Sequence, residues 1–180
     1  RDAGAEPRYG DLEGEIAPAV EGADAVVFTA GAGGATGWDK TLMVDLWGAK
    51  RAVDASVDEG VGRFVMISSR GAGDPDARGG PIQPYLVAKH FADADLRRSP
   101  LDETILRPTT LTDEEGTGRI TSVFEDESGQ GANIPRADVA QSVVASLAND
   151  ATIGHAIVLF GGDTPIEDAL HPGGEAPTPR

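Results

Sequence analysis

The sequence predicts an α/β fold, a doubly wound parallel sheet flanked by helices, and three observations carry that expectation. Apolar runs without polar alternation, the mark of strands buried on both faces, recur along the chain. Stretches with helical apolar spacing separate them, and alternating strands and helices build parallel sheets. Each run ends in a loop rich in glycine or proline, where such sheets hold their ligands, beyond the carboxyl ends of the strands.

The first strand is ADAVVFTAG, residues 23–31. It leads through GAGGATG into a helix from Trp38 to Glu59, whose apolar positions Leu42, Leu46, Ala49, Val53 and Val57 recur at helical spacing, with Gly60 as its stop. RFVMISS, residues 63–69, is a second buried strand opening into GAGDPDARGGP. A helix from Tyr85 to Arg98 precedes DETILRP, residues 102–108, a strand stopped by its proline. Residues 118–124 form a short strand, residues 135–149 a helix with apolar Val139, Val143, Val144 and Leu147, and HAIVLFGG, residues 155–162, the last strand. We expect one domain over residues 1–170 and a flexible proline- and glycine-rich tail over residues 171–180.

Composition narrows the function. A chain of 180 residues with 39% hydrophobic residues and no apolar run long enough for a bilayer reads as a globular, cytoplasmic protein. It has no cysteine, which removes disulfides and thiolate metal sites. Asp and Glu total 30 against 15 Lys and Arg, a formal net charge of -15, so neither nucleic acid nor an anionic membrane is an expected partner. Lysine is confined to Lys40, Lys50 and Lys89, and aspartate outnumbers glutamate. That balance resembles the acidic surfaces of halophilic proteins, where salt screens dense negative charge.

The loops beyond the strand ends are Thr29 to Gly37, Ser68 to Pro84 and Arg107 to Thr112. Ser69 closes one strand, and Tyr85 opens the next helix with Lys89 four residues on. Helical spacing stacks Tyr85 and Lys89 one turn apart on one face. A free phenol has a pKa near 10, and a neighbouring cation lowers it towards the range of general acid and base work. A serine hydroxyl beside it suits hydrogen bonding to a substrate oxygen that gains negative charge.

In this order Ser69, Tyr85-x-x-x-Lys89 resembles the short-chain dehydrogenase/reductase superfamily, above all its atypical, epimerase-like NAD(P)-binding branch. Further stretches carry the likeness: GDL at residues 10–12, AVVFTAG at 25–31, DKTLMVDLWGA at 39–49, ILRP at 105–108 and GDTPI at 162–166. The resemblance implies a Rossmann-like fold and NAD or NADP as cofactor. It implies that Tyr85 is the catalytic acid or base, that Lys89 lowers its pKa and bonds the nicotinamide ribose, and that Ser69, in preference to Ser68, orients a carbonyl. It places Asp11 and Leu12 at the adenine end, Thr29, Ala30 and Gly31 along the ribose and phosphates, and Pro108 and Thr109 beside the nicotinamide. The family opens with a strand, a GxxGxxG-type phosphate loop and a helix, which the residues before Ala23 do not supply; GAGGATG follows a later strand. Since the chain opens without methionine, that unit is expected to precede Arg1 in the full protein.

The expected function is an NAD(P)-dependent oxidoreductase or epimerase acting on a small carbonyl or hydroxyl compound, an assignment that allows a homodimer. The alternative is a dinucleotide-binding regulator or redox sensor without turnover. Asp138 is expected to favour the start of its helix, Arg107 to sit in a surface ion pair, Trp38 and Trp47 to pack, and His90, His155 and His171 to hold no metal. If the acidic surface is a halophilic adaptation, the thermal midpoint rises steeply as potassium chloride goes from dilute to molar; a flat calorimetric profile would oppose it.

Overall fold

The computed structural model describes residues 4–126 and 131–172. After a short helix, α1 (Ala17–Val20), strand β1 (Ala25–Phe28) leads into a long helical arm built of α2 (Trp38–Lys40), a π-helical stretch (Thr41–Gly48) and α3 (Ala49–Asp58). Then follow β2 (Arg63–Ile67), a turn of helix α4 (Pro75–Arg78), α5 (Gln83–Leu96) and β3 (Asp102–Pro108). The second half holds β4 (Leu111–Thr112), β5 (Arg119–Phe124), β6 (Ile134–Pro135), α6 (Arg136–Leu147), β7 (His155–Gly161), β8 (Thr164–Pro165) and α7 (Ile166–Ala169).

Six strands form one sheet in the order β1-β2-β3-β7-β5-β8. The first four are parallel, as the buried apolar runs require. Alternation along each strand then fills two cores. Phe64, Met66 and Ile105 pack with Ala52, Val53 and Leu96 under α3 and α5. Val65, Leu106 and Ile157 turn the other way, towards Val139, Val143 and Leu170 around α6 and α7. The molecule is therefore a mostly parallel α/β sheet flanked by helices, as the sequence predicts.

Three expectations change. The segment 118–124 is a strand, but β5 runs antiparallel to β7, because the link from β3 is too short for the helical crossover that a parallel return needs. The strand from Ala23 is shorter than expected and is not buried on both sides. Val26 and Phe28 pack against the α3 and α5 core, while Ala25 and Val27 are exposed, since among the described residues β1 pairs only with β2 at the sheet edge. The long helix also buries a different stripe: Leu42 is 56% exposed, and Thr41, Asp45 and Gly48 face inward. A π-helix takes more residues per turn than an α-helix, so an α-periodic reading loses phase through it. The expected tail, from Gly173 onward, lies outside the described residues.

Asp138 does more than favour the start of its helix. It sits in the first turn of α6, but its carboxylate accepts from the N–H and hydroxyl of Thr117 at 3.0 Å each and from the N–H of Gly118 at 2.9 Å. It thus ties the approach to β5 onto α6. Replacing the buried Asp138 with Ala removes all three of these bonds from part-buried donors; urea unfolding should show a loss of about 1–3 kcal/mol.

Candidate functional site

The register aligns Phe28 with Met66, Ile67 with Leu106 and Pro108 with Leu159, so β1, β2 and β3 end along one edge of the sheet. The chain segments that follow these strands enclose, with α5 and the π-helical stretch, a cleft of about 710 Å³. That volume is typical of a small-molecule or cofactor site. Thr29, Ala30 and Gly31 line it, as do Tyr85, Lys89 and Pro108. The structure thus brings six of the residues expected from sequence to one concavity.

Ser69 is not among the residues that line the cleft; its Oγ donates to the carbonyl of Arg70 at 3.3 Å, close enough to Tyr85 to lower the phenol's proton affinity. Ser68 reaches the lining, yet its Oγ is committed, donating to Asp93 Oδ2 at 2.9 Å. Three expected contacts fall outside. The Asp11 carboxylate accepts the N–H of Glu13 at 2.9 Å within a tight turn. Leu12 packs where the missing Cβ of Gly48 would stand, 3.0 Å from its own Cβ. Thr109 donates its N–H to the carbonyl of Leu159 at 2.9 Å.

Helix α5 buries an unusual face. Leu86, Lys89, Ala92, Asp93 and Leu96 recur at helical spacing and are all buried, two of them charged. Each charge has a partner from a separate element. Asp93 Oδ2 accepts from Ser68 and from Arg107 Nε at 3.0 Å, with Arg107 Nη2 also at 3.0 Å. Burial nevertheless holds the Asp93 proton affinity above the ordinary carboxylate range. Arg107 is therefore in an ion pair as expected, but a buried one. Lys89, 3% exposed, donates to the carbonyl of Ile67 at 3.2 Å and lies 3.4 Å from Asp45 Oδ1.

This second arrangement corrects the expected electrostatics of the phenol. Lys89 Nζ stands 5.9 Å from the centre of the Tyr85 ring, with its charge answered by Asp45. Burial, followed by the Asp45 carboxylate, pushes the Tyr85 pKa up to about 12 against the downward pull of the nearby Ser69 hydroxyl. A phenol that holds its proton more tightly when folded stabilises the fold. That contribution is complete below the unfolded value near 10 and is lost as pH rises through the folded value of about 12.

Asp45 is the residue that sequence reasoning missed, and an acid one helical turn from both apolar Leu42 and Ala49 was the available signal. The cleft fits the ribosyl-nicotinamide end of a dinucleotide. Lys89 has an N–H beyond those directed at Ile67 and Asp45, Asp45 Oδ1 is buried without a hydrogen bond, and Ile82, Pro108 and Leu111 give an apolar wall.

A family model described as NAD(P)H-binding matches residues 1–150. The chain belongs to this NAD(P)H-binding family. It is 47% identical over 171 residues to an uncharacterised sugar epimerase of Bacillus subtilis, covering 93% of this chain and 78% of that one. Among solved structures it is similar to a putative NAD-dependent epimerase/dehydratase from Bacillus halodurans, at 42% identity and a TM-score of 0.86 over 89% of this chain and 75% of that one. It is also similar to an oxidoreductase from Lactococcus lactis, at 33% identity and a TM-score of 0.79 over 90% of this chain and 74% of that one. The likeness to epimerase-like short-chain proteins read from the sequence is borne out, and the cofactor of this NAD(P)H-binding chain is NAD or NADP. No described helix is long and apolar enough to cross a membrane.

Removing one member of the buried Asp93 cluster leaves charge unpaired in the core. Asp93→Ala should cost about 3–5 kcal/mol in denaturant unfolding, and an Asp93→Leu, Arg107→Met double variant should recover much of it.

Proposed function

We propose that the chain is the cofactor-binding and catalytic unit of an NAD(P)-dependent oxidoreductase or epimerase that acts on a small carbonyl or hydroxyl compound through Ser69, Tyr85 and Lys89. The observation that carries this reading is the Tyr85 side chain in the wall of the cleft, with the Lys89 ammonium 5.9 Å from its ring centre and Ser69 near it, at the carboxyl ends of the parallel strands.

The dinucleotide, when bound, supplies or withdraws a hydride at the substrate carbon. The protein handles the oxygen. Ser69, whose Oγ donates to the Arg70 carbonyl at 3.3 Å, would turn that hydroxyl to the oxygen on which negative charge develops. Tyr85 passes a proton to that oxygen, or receives one in the reverse direction. Lys89 lies near enough to favour the phenolate left behind and has a donor free for a ribose hydroxyl. Thr29 to Gly31 offer backbone groups along the cleft, and Pro108 with Leu111 offers an apolar surface for the nicotinamide ring. The bulk of Leu111 and Ile82 limits the room left for substrate, which favours a small compound.

Tyr85→Phe tests this reading. Turnover of any accepted carbonyl substrate should fall at least about 100-fold, the usual size of a general acid contribution, while the calorimetric affinity for NADH or NADPH stays within about twofold. Parental turnover in the variant would remove Tyr85 from the chemistry. A parent that binds dinucleotide but turns over no carbonyl or alcohol across a broad panel would instead favour the regulator.

A further inference from the structure

Among the described residues that line the cleft, the only charged side chains are Asp45 and Lys89, and they stand 3.4 Å apart. Arginines on the surrounding elements are engaged elsewhere. Arg107 is buried against Asp93, and Arg70 lies over the Phe160 ring at 5.0 Å. Arg136, which follows the β6 partner of Thr112, pairs with Asp113 at 3.4 Å. The two nearby helix starts do not supply the missing positive charge. At α5 the N–H of Gln83 donates to Gly80, Pro84 has none, and the N–H of Leu86 donates to Ile82. At the long arm the Asp39 carboxylate folds back beside Gly37, so the positive end of that dipole already has its anion. A charged substrate group would lose its hydration here with no free cation to replace it, on a chain of net charge -15.

The same wall exposes large apolar side chains from three separate elements. Trp38, expected to pack, is 53% exposed at the start of the arm; Ile82, just before α5, is 46% exposed; Leu111, in β4, is 38% exposed. Single exposed apolar residues are ordinary, but three that converge on one concavity mark a site for an apolar ligand. The other polar side chains of the wall are hydroxyls, Tyr85 among them. The nicotinamide and ribose of a reduced dinucleotide are uncharged, so the cofactor end held here brings no cation of its own.

We propose that the substrate is an uncharged aldehyde or ketone, or the corresponding alcohol, whose alkyl or aromatic substituent seats against Trp38, Ile82 and Leu111. For want of a cation, the cleft rejects keto acids, phosphorylated sugars and nucleotide-linked sugars. The inference rests on the carbonyl chemistry proposed at Tyr85 and narrows its substrate to one chemical class.

Ligand pairs that differ in charge but hardly in shape test it. One pair is p-methylacetophenone and p-acetylbenzoate; the other is methyl pentyl ketone and the keto acid in which its terminal methyl is a carboxylate. Saturation-transfer NMR titrations are run on the Tyr85→Phe protein with saturating NADH or NADPH, so that binding is read apart from turnover. Continued turnover in that variant would count against Tyr85 alone, whereas the binding preference judges the substrate class. Each neutral ketone should bind at least about tenfold more tightly than its acid, and UDP-glucose should displace neither. Adding Ile82→Arg or Leu111→Arg places a cation in the wall and should strengthen binding of the acids at least about fivefold. Acids that bind as well as the ketones, ketones that do not bind, or displacement by UDP-glucose overturn the proposal. An unchanged preference in whichever arginine variants circular dichroism shows to be folded overturns the seat assigned to these side chains.

Discussion

Two charges buried on one helix face organise this molecule. Lys89 and Asp93 lie one turn apart on the inner side of α5, where apolar residues would cost less. Each demands compensation, and the elements around α5 supply it. The long arm widens into a π-helix and delivers Asp45; β3 ends in Arg107; β2 ends with the carbonyl of Ile67 and the hydroxyl of Ser68. The same strand ends bound the cleft, so holding α5 in place and building the site are one task.

This arrangement separates structural from chemical duty within a short sequence. Ser68 is spent on the Asp93 cluster, while its neighbour Ser69 stands near the phenol and donates to the Arg70 carbonyl. Both follow the end of β2 at Ile67, where the chain leaves the strand and sends the two hydroxyls to different partners. Arg107 and Pro108 divide in the same way, one inward to Asp93 and the other to the cleft.

Much of this was legible in the residues. Unalternating apolar runs located four of the strands, although only β2, β3 and β7 are covered on both faces and β1 lies at the sheet edge, and strand ends located the cleft. What escaped notice depends on geometry that composition does not encode. The inward turn of Asp45 arises from a π-helical stretch, whose changed periodicity voids an α-helical count from Leu42 to Val57. The proton affinity of Tyr85 could not be read from the Tyr85 and Lys89 spacing, since the ammonium is answered by a carboxylate forty-four positions upstream. Asp138 reads as a helix-start residue, yet its bonds go to Thr117 and Gly118, which meet α6 only in the folded chain.

Trp38, at the start of the long arm, stands at the mouth of the cleft with half its surface in water, whereas Trp47 lies on the same arm away from it. Both indoles are about half exposed, but only Trp38 lines the cleft, so a bound dinucleotide alters the surroundings of one ring and leaves the other as a reference. A dihydronicotinamide absorbs where indole emits, and energy transfer over such a short span is efficient. The protein thus carries an optical gauge of its own occupancy, seated at the entrance and requiring no label.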